Sequence, residues 1–83
     1  MNARNEYSSH TIGNNLRRLR EENGFSVEEV REYLHLGSVQ SVYKYEYGIN
    51  YPPGDTLIAL LELYHAEVAD LIIDDTANDT NAS

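Results

Sequence analysis

Apolar residues near the start of the chain recur at helical spacing. Ile12, Leu16 and Leu19 fall at i, i+4 and i+7, which predicts a helix over about 12–23 that Gly24 stops. Ser26 followed three residues later by Glu29 has the form of a capping box. It opens a second helix near 27–35, with Val27, Val30 and Leu34 on one face, and Gly37-Ser38 breaks that helix. A third helix near 39–47 puts Val39, Val42 and Glu46 on one face and ends at Gly48. The run "GINYPPGD" is too rich in proline and glycine for an element and reads as a loop. Asp55 then caps a fourth helix through about Tyr64. Its run "TLIALLELY" is apolar on most sides, as a central core element would be. "AEVADLII" reads as a short fifth helix with Val68, Leu71 and Ile72 inward. No stretch keeps the two-residue rhythm of a strand for long, and no repeat is visible. The expected fold is all-α, a compact bundle of about five short helices over 11–73. A flexible polar arm at 1–10 precedes it, and an acidic disordered tail at 74–83 follows.

Glu46 breaks the pattern. A carboxylate on an apolar face needs a partner, because an unpaired buried charge is very costly. Arg20, one residue beyond Leu19 on the buried side of the first helix, is the best candidate. A structural Arg20–Glu46 ion pair tying helix one to helix three is therefore expected.

Composition narrows the classes. Eighty-three residues make one domain near the lower size limit for an unaided core. There is no cysteine, which excludes disulfides and thiol chemistry. No apolar run approaches the ~18 residues of a membrane span, and "MNARNEYSSHTIG" lacks the apolar stretch of a signal peptide. The expected compartment is the cytoplasm, with no membrane partner.

The formal net charge of -8 is unevenly spread. All six basic residues (Arg4, Arg17, Arg18, Arg20, Arg31, Lys44) lie in residues 1–50, together with seven acids. Residues 51–83 hold seven acids and no base, so they carry nearly all of the excess. Charges beyond a Debye length of ~8 Å are largely screened at physiological salt. A nucleic-acid face in the first half need not feel the whole charge, and an acidic tail also serves solubility.

Catalytic and metal chemistry find no pattern. His10, His35 and His65 are scattered without metal-ligand spacing, so no metal is expected. "DDTANDT" lacks the glycine and the terminal glutamate of a calcium loop. No glycine-rich phosphate loop precedes a helix, and no serine or histidine sits in a nucleophile context. The chain reads as a non-enzyme with no cofactor and no evident small-molecule ligand.

"SVEEVREYLHLGSVQSVYKYEYG" is a pair of short helices joined by a tight turn, the helix-turn-helix pattern. At this point the chain resembles the phage-repressor and Cro-like (Xre-type) helix-turn-helix regulators. The likeness runs from Ile12 to Ile72, about three quarters of the chain. It rests on "LRRLREENGFS", on "LGSVQSVYKYE.G" and on the "P..DTL..LLELY.....DLI" ending. The resemblance implies five helices with helix three entering the major groove of double-stranded DNA. It implies that Ser38, Val39, Gln40, Ser41, Tyr43 and Lys44 lie on or near the DNA-facing surface. Gln40 suits bidentate bonding to adenine, Ser41 suits a base edge or a phosphate, and Val39 suits a thymine methyl. Lys44, one turn from Gln40, joins this base-reading set. Ser38, Tyr43, Asn50 and Arg17 are the phosphate candidates. Packing competes at several of these positions: Val39 also fits an inward face, Tyr43 also fits a packing role, and Tyr45 reads as mainly core. The resemblance also supports the Arg20–Glu46 pair.

Three departures from the family pattern bear on the strength of DNA binding. Val27 stands where helix two usually starts with a phosphate-binding glutamine. Arg31 stands where a small residue is usual, so it must turn its charge outward or push the helices apart. His35 stands where glycine is common, so it must accept a positive φ or change the turn.

Two functions follow from different classes. The first is a sequence-specific DNA-binding transcriptional regulator, repressor-type, acting as a homodimer on a two-fold site. Its dimer surface would involve helix five, Ile72 and Ile73. The alternative is an acidic protein-interaction module on the same fold, such as an anti-repressor, antitoxin or DNA mimic. The placement of charge separates them. Arg17, Arg18 and Lys44 on one face favour DNA, whereas Glu28, Glu29 and Glu32 crowding it favour a protein.

Overall fold

A computed structural model describes residues 7–73, and within them the chain is all-α. Five helices follow in order: α1 Ser9–Glu22, α2 Val27–Leu34, α3 Val39–Glu46, α4 Gly54–Tyr64 and α5 Val68–Leu71. None is long and apolar enough to cross a membrane. Residues 1–6 and 74–83, which include most of the expected arm and all of the expected tail, lie outside the described residues.

α1 starts earlier than its apolar spacing indicates. The Ser8 hydroxyl accepts hydrogen bonds from the His10 and Thr11 N–H groups, so the helix is capped four residues ahead of Ile12. Ser9 and His10 thus belong to the helix rather than to a free arm. The start of α2 has the full capping box: Glu29 N–H donates to the Ser26 hydroxyl, and the Ser26 N–H donates to the Glu29 carboxylate. α4 begins differently from the expectation. Pro53 occupies its cap and makes no side-chain hydrogen bond, and Asp55 lies inside the first turn. Proline suits a helix start because it has no N–H to leave unsatisfied, and Asp55 favours the positive end of the helix dipole.

The first four helices end the same way. The residue after each last turn is left-handed: Gly24 (φ 76°), His35 (φ 58°), Gly48 (φ 77°) and His65 (φ 54°). The next residue's N–H then reaches back five positions, from Phe25 to Arg20, Leu36 to Arg31, Ile49 to Lys44 and Ala66 to Leu61. Gly24 and Gly48 adopt this geometry freely, whereas two histidines must bear its steric cost. At the ends of α1 and α2 an arginine adds to the closure. Arg20 Nη1 donates to the Phe25 carbonyl at 3.0 Å, and Arg31 Nη1 donates to the Leu36 carbonyl at 2.9 Å.

The core gathers Leu16 and Leu19 of α1, Val30 of α2, Val42 of α3, Leu60 and Tyr64 of α4, and Leu71 of α5. α1 packs on both α3 and α5, and α3 also packs on α2. α4 brings the most residues to this core, with Leu57, Leu61 and Leu63 packed against it beside the buried Leu60 and Tyr64. It leaves Ile58 exposed, because a strongly apolar helix in so small a domain cannot be surrounded on every side. The expectation for α5 is corrected. Only Leu71 is buried; Val68 and Ile72 face outward, since a helix of four residues has one narrow inner edge.

Candidate nucleic-acid interface

α3 is two-faced. Val42 and Glu46 are buried and Tyr45 packs against the core, while Gln40, Tyr43, Lys44 and Tyr47 are exposed. Gln40, Tyr43, Lys44 and Tyr47 stand at i, i+3, i+4 and i+7, the spacing of one continuous outer stripe. Val39 and Ser41 flank it and are half-buried.

Three supports hold the helix in place. The first is backbone contact with α1. A Cβ on Gly13 would collide with the carbonyl oxygens of Tyr45 and Glu46, so only glycine lets the two helices meet this closely. At the end of α3 a Cβ on Gly48 would lie 2.8 Å from the His10 Cα, and the Ser9 hydroxyl donates to the Gly48 carbonyl at 2.9 Å.

The second support is the Arg20–Glu46 pair. Arg20 Nε donates to Glu46 Oε2 at 2.7 Å and Nη2 donates to Oε1 at 3.2 Å, a two-pronged grip. The Glu46 side chain is 3% exposed and that of Arg20 11%. The hydrogen bond to Glu46 raises the Arg20 pKa above its ordinary value, so the guanidinium is charged at every accessible pH.

The third support is the α2–α3 turn. His35 accepts the left-handed backbone and keeps the turn that glycine would make. Arg31 turns its charge outward to Glu28, with Nη2–Oε2 at 2.7 Å, while its Nη1 holds the Leu36 carbonyl. Each partner's pKa moves in the direction that favours the ion pair: Arg31 up and Glu28 down, each chiefly through their shared hydrogen bond. Val27, in place of a polar anchor, packs against the core.

The surface of α3 differs in charge from those of α1 and α2. Its single acid, Glu46, points inward, so the outer stripe carries no carboxylate. The three α2 acids are all exposed; Glu28 is paired with Arg31 and Glu29 closes the capping box. Arg17 is paired with Glu21 and Arg18 with Glu22, both on the surface of α1. Lys44 is the one basic residue among the described residues that forms no ion pair.

The remaining site residues take these places. Ser38 is the exposed N-cap of α3, and its hydroxyl makes no cap hydrogen bond. The Ser41 N–H donates to the Ser38 carbonyl, and the exposed Asn50 is held through its N–H to the Lys44 carbonyl. Tyr43 is exposed and its ring stacks on that of Tyr47. Arg17 is exposed on α1, with its guanidinium shared with Glu21.

Two residues escaped the sequence reading. Tyr47 completes the outer stripe, and its position at i+7 from Gln40 and i+4 from Tyr43 was the available signal. Asn15 is 1% exposed, and its amide nitrogen donates to the carbonyls of Leu71 and Ile73, both at 2.8 Å. Its oxygen accepts from Arg18, which also donates to the Asp70 carbonyl. Together they close the end of α5 against α1. The signal for Asn15 was its place on the Ile12–Leu16–Leu19 stripe.

A family model described as a helix-turn-helix domain matches residues 11–71. No curated protein matches the chain. Among solved structures it is similar to the crystal structure of the clp gene regulator ClgR from C. glutamicum. That likeness has a TM-score of 0.70 and 22% identity, and it covers 86% of this chain and 90% of the other.

Proposed function

The chain belongs to the helix-turn-helix domain family. From that and the geometry of α3, we propose that it is a small transcriptional regulator that binds double-stranded DNA. In this reading α3 enters the major groove, Gln40 and Lys44 address base edges with Ser41 and Val39 at their flank, and Ser38, Tyr43 and Asn50 address phosphates. The regulator is repressor-type and acts as a homodimer on two half-sites one helical turn apart, ~34 Å. The observation that carries the reading is the outer stripe of α3. In a chain of net charge -8, this surface holds no carboxylate and has at its middle Lys44, which forms no ion pair among the described residues. The likeness to a solved gene regulator supports the same reading.

Selection from random duplex DNA, followed by salt titration of the enriched sequence, tests it. One sequence family should enrich. Its binding should fall with salt at a shallow slope, about -1 to -3 on log–log axes, because few cations are free to displace counterions. Gln40→Ala should weaken specific binding by ~1–3 kcal/mol with unchanged stability. Failure to enrich any duplex, even at low salt, would reject the reading. It would favour an acidic interaction module, which the seven acids and absent bases of residues 51–83 would suit.

A further inference from the structure

The Tyr43–Tyr47 pair stands out on the surface. The two rings stack with centroids 5.9 Å apart and planes 16° off parallel. Neither is anchored in the core: Tyr43 is 38% exposed and Tyr47 60%. Neither hydroxyl makes a hydrogen bond among the described residues. Tyr51, by contrast, spends its hydroxyl on the Tyr7 carbonyl at 3.1 Å. Tyr47 keeps right-handed helical backbone at the end of α3 (φ -84°, ψ -3°), so it continues the phase of Gln40, Tyr43 and Lys44. Stacking limits the rotamers of both rings before any partner arrives, so little side-chain entropy remains to be lost on binding.

We propose that Tyr47 is a further DNA-contacting residue of this chain: stacked on Tyr43, it sets its ring edge and hydroxyl against the sugar–phosphate backbone beside the groove that α3 enters. The inference rests on the DNA-binding reading above and names the backbone chemistry of that same site. Its physical basis is the shortage of free cations. Four of the five basic side chains in the described residues are engaged in ion pairs. Neutral hydroxyl donors supply phosphate contacts that release no counterion, and the ring covers deoxyribose carbon that a lysine would leave wet. The consequence is backbone affinity that survives salt, with sequence choice left to the base-facing residues Gln40, Lys44, Ser41 and Val39.

The test uses the full chain and the duplex enriched by selection, with Kd measured by fluorescence anisotropy over a salt series. Tyr47→Ala should weaken binding about tenfold, and Tyr47→Phe, which keeps the ring, about threefold. Both should leave the salt slope and the sequence preference of the parent intact. Lys44→Gln, the control for a charged contact, should lower the slope by about one. Parent affinity in Tyr47→Ala, on a duplex that Gln40→Ala binds more weakly, overturns the inference while the DNA-binding reading stands. Parent affinity in Tyr47→Phe alone overturns the hydroxyl contact, and this variant also decides the matter if Tyr47→Ala fails to fold. A chain that enriches no duplex overturns both the reading and the inference.

Discussion

Gly13 of α1 lies directly beneath Tyr45 of α3, so close that an added Cβ would stand 2.6 Å from the Tyr45 carbonyl oxygen. The presentation of the outer helix thus depends on a missing side chain in the first. Gly13→Ala would raise intrinsic helix propensity by ~1 kcal/mol in isolation. Here backbone blocks the methyl group and cannot rotate aside. We expect a net loss of about 2 kcal/mol or more, read as a lower urea midpoint. DNA affinity should fall as well, because α3 is displaced. A stability gain would show that the helices can separate at no cost.

Glu46 and Arg20 share a nearly dry contact, so each depends on the other. Glu46→Gln should destabilise the fold by about 3 kcal/mol, since a buried guanidinium loses its counter-charge. Replacing both residues together, Arg20→Met with Glu46→Leu, should cost less than the single change. Thermal unfolding of the parent and the two variants checks the ordering. A harmless Glu46→Gln would mean that water already compensates Arg20.

His35 holds the helix-turn-helix turn at a positive φ. Glycine takes that backbone without strain, while giving back part of the gain as unfolded-state entropy. His35→Gly should therefore stabilise by about 0.5–1 kcal/mol. Chemical denaturation measures it, and His35→Ala should move the other way. Equal midpoints for the two variants would show that the turn relaxes.

Burial, with Glu46 nearby, pushes the Tyr64 phenol well above its ordinary pKa. In the unfolded chain it ionises near pH ~10. The folded-state value is the higher one, so its contribution to stability is complete below ~10 and drains away as pH rises beyond it. Urea midpoints measured from pH 8 to about 11 should fall more steeply for the parent than for Tyr64→Phe. Parallel curves would show that the ring ionises in place.

Much of the fold was legible because helices announce themselves locally. The stripes Ile12–Leu16–Leu19 and Val27–Val30–Leu34, the Ser26–Glu29 capping box and the glycines after α1 and α3 all depend on neighbours within one or two turns. So does the inward place of Glu46, which follows from its spacing to Val39 and Val42. The same local logic misplaced the cap of α4 and the inner face of α5. Spacing reports which residues are apolar, and it is silent about how much neighbouring surface exists to cover them. Ile58, Val68 and Ile72 are apolar yet exposed for that reason.

The sequence by itself determined the all-α class, the order of the five helices and the two-faced character of the third. These are short-range consequences of side-chain periodicity and backbone stereochemistry. Long-range packing made Gly13 the point of backbone contact with α3. It also decided that Asn15 and Arg18 secure the end of α5. The same holds for the pairing of four arginines with glutamates, which among the described residues leaves Lys44 without an ion pair beside two stacked tyrosines. Each of these depends on which groups, distant along the chain, come within a few ångströms of one another. Helical periodicity does not encode that distance; the packing of the whole domain sets it.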